Sequence, residues 1–181
     1  MDGTITQPLL DFDAIRAEIG ITGPILEAIA QMDESSRRRA NVILNRHEER
    51  AAVESELNDG CRELLAEIAA RNLPTAIITR NSRPRIDIVL ERHALSFDVL
   101  ICRDAAPPKP DRRAITTACA ALGVLPSETW MIGDGHHDIE AGNAADAATI
   151  WVSHGLARDF EAVPAMTIQG LSELIGALRI A

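Results

Sequence analysis

Tyrosine is absent from the 181 residues, and the other aromatics are two Trp and three Phe, 3% in all. A core must therefore be built from Leu, Ile, Val and Ala, and the 46% apolar content supplies one. Cysteine is also scarce. Cys61, Cys102 and Cys119 stand far apart, form no CxxC pair and are odd in number, which argues against a disulfide framework. They read as small core residues in a reducing compartment. No basic-then-apolar leader opens the chain, and no apolar run approaches the roughly 20 residues that cross a bilayer. Positive charge is in deficit: 18 Lys and Arg against 27 Asp and Glu give a net −9. That balance speaks against a nucleic-acid partner, which needs a basic surface. The expectation is a soluble cytoplasmic protein without a nucleic-acid or membrane partner. An anionic small molecule remains open as a substrate, given local donors or a cation, and the oligomeric state is left open.

What is present falls into two patterns. Up to Gly60 the chain reads as helical. DFDAIRAEIG (11–20) has helical spacing and ends on glycine, a common helix stop. Pro24 is expected in the first turn of PILEAIAQM. DESSRRRANVILNRHEERAAVESELN is a long, mostly exposed helix, and NDG after it is a breaker. From Gly60 onward helices and short apolar runs alternate. The runs are LPTAIIT, FDVLI, TWMIG and ATIWV, and the last helix is SELIGALRI. Such alternation means βαβ units and a parallel sheet covered on both faces. The fold class is α/β, a three-layer α/β/α sandwich of Rossmann-like type. The expected core is 1–10 with 58–181, and 11–57 is a small helical cap.

In an open parallel sheet, ligands bind beyond the carboxyl ends of the strands. The residues there are Thr79-Arg80-Asn81, Arg103-Asp104 and Asp134-Gly135-His136-His137-Asp138, with Lys109 closing a nearby loop. Asp2-Gly3-Thr4 joins them if a strand precedes it. Asp134 and Asp138 are four apart across a strand-to-helix junction, so both can face one site. Close carboxylates repel unless one is protonated or a cation bridges them. Mg²⁺ suits one or two carboxylates with a substrate phosphate, and a hydroxyl and an ammonium beside it complete a phosphoryl site. The plain alternatives are a helix cap and first-turn acid for Asp134 and Asp138, a strand-end hydroxyl for Thr79, a loop lysine for Lys109 and a turn residue for Asp2. His136 and His137 read as loop residues. Arg37, Arg38 and Arg39 read as a solvated face, or one of them, or Arg16 or Arg46, reaches an anionic substrate.

The order DGT, a strand ending in Thr, Lys-Pro and GDGHHD resembles the haloacid dehalogenase-like hydrolases, nearest the phosphoglycolate-phosphatase-like branch. The resemblance covers nearly the whole chain and implies a Mg²⁺-dependent phosphatase acting on a small phosphorylated metabolite. Asp2 matches the second acid of the DxDGT motif, the general acid and base whose main-chain carbonyl also binds Mg²⁺. Thr79 matches the phosphate-binding hydroxyl, with Arg80 and Asn81 beside it, and Lys109 the phosphate-pairing lysine. Asp134 and Asp138 match the metal-binding acids. The motif's first Asp, the nucleophile, would precede Met1, together with the strand that carries it. Two readings follow: the natural chain begins upstream and the 181-residue form is impaired, or the protein is an inactive binding or interaction scaffold on this fold. A phosphoacceptor signalling domain also clusters such residues, but the helical insert and GDGHHD speak against it.

Overall fold

Side-chain caps set the helices of the first of two compact units, Leu9–Ser55. The computed structural model describes residues 1–180, with side chains through residue 178. The Asp11 carboxylate accepts from the amide of Ala14 at 2.9 Å and starts α1 (Phe12–Ile19). Gly20 ends it at φ 80°, a region open to glycine at little cost. Pro24 is the N-cap of α2 (Ile25–Ala30), one position ahead of its expected place inside the first turn. The Asp33 carboxylate accepts from the amides of Ser35 and Ser36 and opens α3 (Glu34–Val53). This long helix buries one stripe, Ala40, Leu44, Glu48, Ala51 and Ala52, and exposes or half-exposes the rest. The stripe follows the helical repeat. Ala40 and Leu44 pack with Ile15, Ile25 and Ile29 into the unit's core.

The second unit combines Met1–Pro8 with the chain from Glu56 onward. Its elements alternate: α4 (Cys61–Ala70), β1 (Ala76–Ile78), α5 (Arg83–His93), β2 (Val99–Ile101), α6 (Arg113–Leu122), β3 (Trp130–Gly133), α7 (His136–Ala144), β4 (Ala148–Val152), β5 (Met166–Ile168) and α8 (Ser172–Ile180). Every strand pair is parallel, so the class is α/β. The strands form two sheets, β1-β2 and β3-β4-β5, where a single sheet was expected.

β4 shows how the layers assemble. Its residues alternate between faces with the strand period of two. Ile150 and Val152 meet Cys61 and Leu64 of α4 and Leu174 and Leu178 of α8. On the other face Thr149 lies under α7, so close that a Cβ on Gly142 would stand 2.3 Å from its Cγ2. Met131, Ile115, Cys119 and Ala141 continue that second layer. All three cysteines are free and buried.

Two elements depart from the sequence expectation. α7 begins at His136, so the two histidines are the first turn of a helix instead of a loop. β5 was not anticipated. It is three residues long, too short to show alternation, and forms because β4 has an outer edge whose backbone groups need partners.

Candidate active site

The carboxyl ends of β1, β3 and β4 carry several of the polar residues that the unit buries or half-buries. Thr79 extends β1 by one ladder bond, its amide donating to the Ile101 carbonyl at 2.9 Å. The chain then turns into α5. The Asn81 amide donates to Thr79 Oγ1 at 3.1 Å, which leaves the hydroxyl hydrogen of this buried threonine free to donate elsewhere. Asn81 Nδ2 donates to Asp2 Oδ2 at 3.3 Å, linking the first two expected motifs. Arg80 points its guanidinium at the main chain, Nη1 donating to the Lys109 carbonyl at 2.6 Å, so it ties two loops together.

Residues 1–6 form a tight loop. The Met1 carbonyl accepts from the amides of Thr4, Ile5 and Thr6 at 3.2, 2.8 and 3.1 Å. Gly3 takes φ 74°, a value that favours glycine. Space also demands glycine there: a Cβ would fall 2.0 Å from Asp134 Oδ2. The loop is thus laid against Asp134, and Thr4 Oγ1 donates to Asp134 Oδ1 at 2.7 Å. Among the described residues no side chain donates to the other oxygen, Oδ2. Burial raises the Asp134 pKa above the ordinary carboxylate value; the amino terminus opposes that rise, and Asp138 adds to it.

Asp138 differs. One of its oxygens accepts from Lys109 Nζ and the other from the Gly135 amide at 3.0 Å. Burial alone would push its pKa up, yet the Lys109 ammonium, with the amino terminus, holds it below the ordinary value. Lys109, itself buried, also donates to the Ile78 carbonyl at 2.7 Å. No group of three or more His, Cys, Asp or Glu suited to a metal occurs among the described residues, and the part expected of Asp2 was that of its main-chain carbonyl. α7 starts at His136, and Asp138 in its first turn faces its own helix N-terminus and Lys109. Arg16, Arg38 and Arg46 of the first unit pair with Asp13, Glu34 and Glu18 within that unit.

Three residues shape the site that the sequence did not single out. Asn58 Nδ2 donates to the carbonyls of Gly3, Thr4 and Thr6 at 3.1, 2.8 and 3.0 Å, fastening the loop of Asp2. Trp151 Nε1 donates to the Asp134 carbonyl at 2.9 Å. His154 Nε2 lies 2.6 Å from the Gly3 carbonyl. NDG gave a turn signal only, Trp151 reads as a core residue of its strand, and nothing in the sequence marks His154.

Comparison with known proteins gives the family. The family model for haloacid dehalogenase-like hydrolases matches residues 12–152. The chain belongs to that family. It is 32% identical to the N-acetylmuramic acid 6-phosphate phosphatase of Pseudomonas aeruginosa, over 86% of this chain and 80% of that one. It is 26% identical to the phosphoglycolate phosphatase of Chromobacterium violaceum, over 95% and 82%. The crystal structure of a hydrolase from Pseudomonas syringae superposes with a TM-score of 0.82 at 20% identity, covering 99% and 95% of the two chains, and so shares the fold of this family member.

Proposed function

We propose that the protein is a Mg²⁺-dependent phosphatase of the haloacid dehalogenase type, hydrolysing a small phosphate monoester. The observation that carries this reading is the company Asp134 keeps. A half-buried carboxylate with one oxygen unclaimed by any side-chain donor lies beside the loop of Asp2, at the same strand-end edge as a buried hydroxyl and a buried ammonium. The two relatives, both phosphatases by name, support the same class of substrate.

The donor set fits Mg²⁺, which takes hard oxygen ligands and keeps several waters. Glycine at position 3 lets the loop of Asp2 lie directly against Asp134 Oδ2, where a Cβ would stand 2.0 Å away. Asp134 and the main-chain carbonyl of Asp2 would hold the ion, with Asp138 acting through Lys109. When bound, Mg²⁺ neutralises charge on the phosphoryl oxygens and on the acids around them.

The chain's own groups do the rest. Thr79 donates its hydroxyl hydrogen to a phosphoryl oxygen. Lys109 supplies a fixed positive charge, oriented by Asp138 and the Ile78 carbonyl. Asp2 protonates the leaving oxygen and later takes a proton from water, and Asn81 Nδ2 fixes one of its oxygens for that work. The attacking carboxylate that the family resemblance calls for precedes Asp2 by two positions, so the roles assigned to these residues are binding, orientation and proton transfer.

The test is hydrolysis of p-nitrophenyl phosphate, assayed in the 181-residue chain and in one carried upstream through that acid. Turnover is expected to need Mg²⁺, to stop with EDTA, and to fall about 100-fold or more in Asp134→Asn and Asp2→Asn. Metal-independent turnover, or an active Asp134→Asn, would sink the reading.

A further inference from the structure

β4 ends in a turn with an unusual composition. The Leu156 amide donates to the Ser153 carbonyl at 2.9 Å, closing residues 153–156. Both central residues have positive φ, 51° at His154 and 76° at Gly155, the pattern of a type I′ turn. Gly155 takes that backbone freely. His154 takes it at a conformational cost, and such costs are retained where the surroundings or a task require them. The turn is also pinned: Ser153 donates its amide and its hydroxyl to the Ile168 carbonyl at 2.8 and 2.9 Å.

The imidazole is thereby brought onto the loop of Asp2, with Nε2 at 2.6 Å from the Gly3 carbonyl. A carbonyl only accepts, so Nε2 carries the proton. Asn58 Nδ2 donates to the same oxygen at 3.1 Å. Gly3 lies between Asp2 and Thr4, and Thr4 is bonded to Asp134. Three residues before His154, Trp151 donates its indole N–H to the Asp134 carbonyl. The end of one strand therefore grips the main chain of both acid-bearing loops.

We infer that His154 is a positioning residue. Its hydrogen bond fixes the Gly3 carbonyl, and so holds the Asp2 and Asp134 carboxylates at a constant separation. The catalytic part of this inference rests on the phosphatase reading of the site; the structural part does not.

Three variants separate backbone from side chain. His154→Gly accepts the left-handed backbone and has no donor. His154→Asn also tolerates that backbone, but is too short to place its amide where Nε2 stands. His154→Gln carries an amide at the distance of Nε2. Three quantities are read: turnover of p-nitrophenyl phosphate with Mg²⁺, Tm, and amide hydrogen exchange at Ile5 and Thr6, whose amides are bonded within the loop. In the Gly variant kcat should fall about tenfold with KM within about twofold. Its Tm should stay level or rise, because the strained turn is relieved, and Ile5 and Thr6 should exchange faster. The Asn variant should match it in turnover and exchange, and the Gln variant should recover most of both. Wild-type turnover and exchange in the Gly and Asn variants would overturn the inference. So would a Tm that falls together with turnover in all three, since that marks a merely structural residue. Turnover is read in the chain carried upstream through the attacking acid; if its wild type turns over no substrate, the phosphatase reading fails, and the exchange measurement alone decides whether His154 holds the loop.

Discussion

Asparagine at position 138 would keep the shape of the side chain and remove its charge, leaving Lys109 without its carboxylate. The side chains of the pair are 7% and 12% exposed, so both ions have given up most of their water. The ammonium would keep the Ile78 carbonyl at 2.7 Å and, in place of the carboxylate, at most one neutral amide oxygen. The Gly135 amide would face an amide group in place of a carboxylate. Removing one partner of a buried pair costs about 3–5 kcal/mol, mostly because the other charge is stranded. In a chain of this length each kcal/mol moves Tm by about 2–4 °C, so Asp138→Asn should melt roughly 6–20 °C below the wild type. Urea unfolding should show the loss in the midpoint with m unchanged. An exposed pair provides the control. Arg38 and Glu34 are 73% and 74% exposed, and Glu34→Gln should stay within about 0.5 kcal/mol of the wild type. Lys109→Met combined with Asp138→Leu should recover much of the lost stability, since apolar residues of similar volume can replace a buried pair. It should not recover phosphate binding. A loss below about 1 kcal/mol for Asp138→Asn would refute the reasoning, because it would mean that Lys109 reaches water.

Two further perturbations probe packing and acid stability. Gly142→Ala should destabilise by about 1–3 kcal/mol in chemical denaturation, because the added methyl would stand 2.3 Å from Thr149 Cγ2. Gly176→Ala meets nothing within 4 Å and should stabilise α8 by up to about 1 kcal/mol; a gain at Gly142 would show that α7 slides freely on β4. Asp98 accepts from the amide and the hydroxyl of Thr75 at 2.8 and 3.0 Å, and these bonds, the backbone one first, hold its pKa below the ordinary carboxylate value. A folded-state pKa below the unfolded one stabilises above about pH 3.9 and loses that contribution as pH falls through the lowered value. The advantage of the wild type over Asp98→Asn in thermal unfolding should therefore be flat near neutrality and shrink in acid; a gap that widens in acid would contradict the assignment.

Much of the fold was legible because it rests on local chemistry. The stretch from Asp11 to Gly20 reads as a helix ending on glycine in the sequence, and these two residues stand at helix ends in the structure. β4 was readable as an apolar β-branched run because both of its faces are covered, and it is the best-buried strand. The strand-end rule then located Thr79 and Asp134 without any coordinates. What stayed hidden depends on encounters between distant segments. Asn58 looked like part of a turn, and three carbonyls of residues 3–6 meet its amide only once the chain has folded. The indole of Trp151 counted as apolar bulk, although its single N–H sets a loop across the sheet. β5 is a strand only because β4 offers it an edge.

The two acids of GDGHHD show where spacing stops being informative. In sequence Asp134 and Asp138 are equivalent, four apart and each able to face the site. Folding makes them unequal. Asp134 lies against a glycine loop, keeps one oxygen without a side-chain donor among the described residues, and has its pKa raised by burial. Asp138 is more deeply buried, has both oxygens engaged, and has its pKa lowered by Lys109. On the metal-binding reading proposed above, a carboxylate already paired with a lysine and a helix N-terminus is the weaker ligand for a cation. One with an oxygen that no described side chain engages is the stronger. The mutual repulsion of two close carboxylates is thus eased by giving one of them an internal cation, Lys109. Neutralising Asp138 should therefore act on metal affinity only indirectly, through Lys109. Neutralising Asp134 should act on it directly, and a Mg²⁺ titration of the two asparagine variants should separate them.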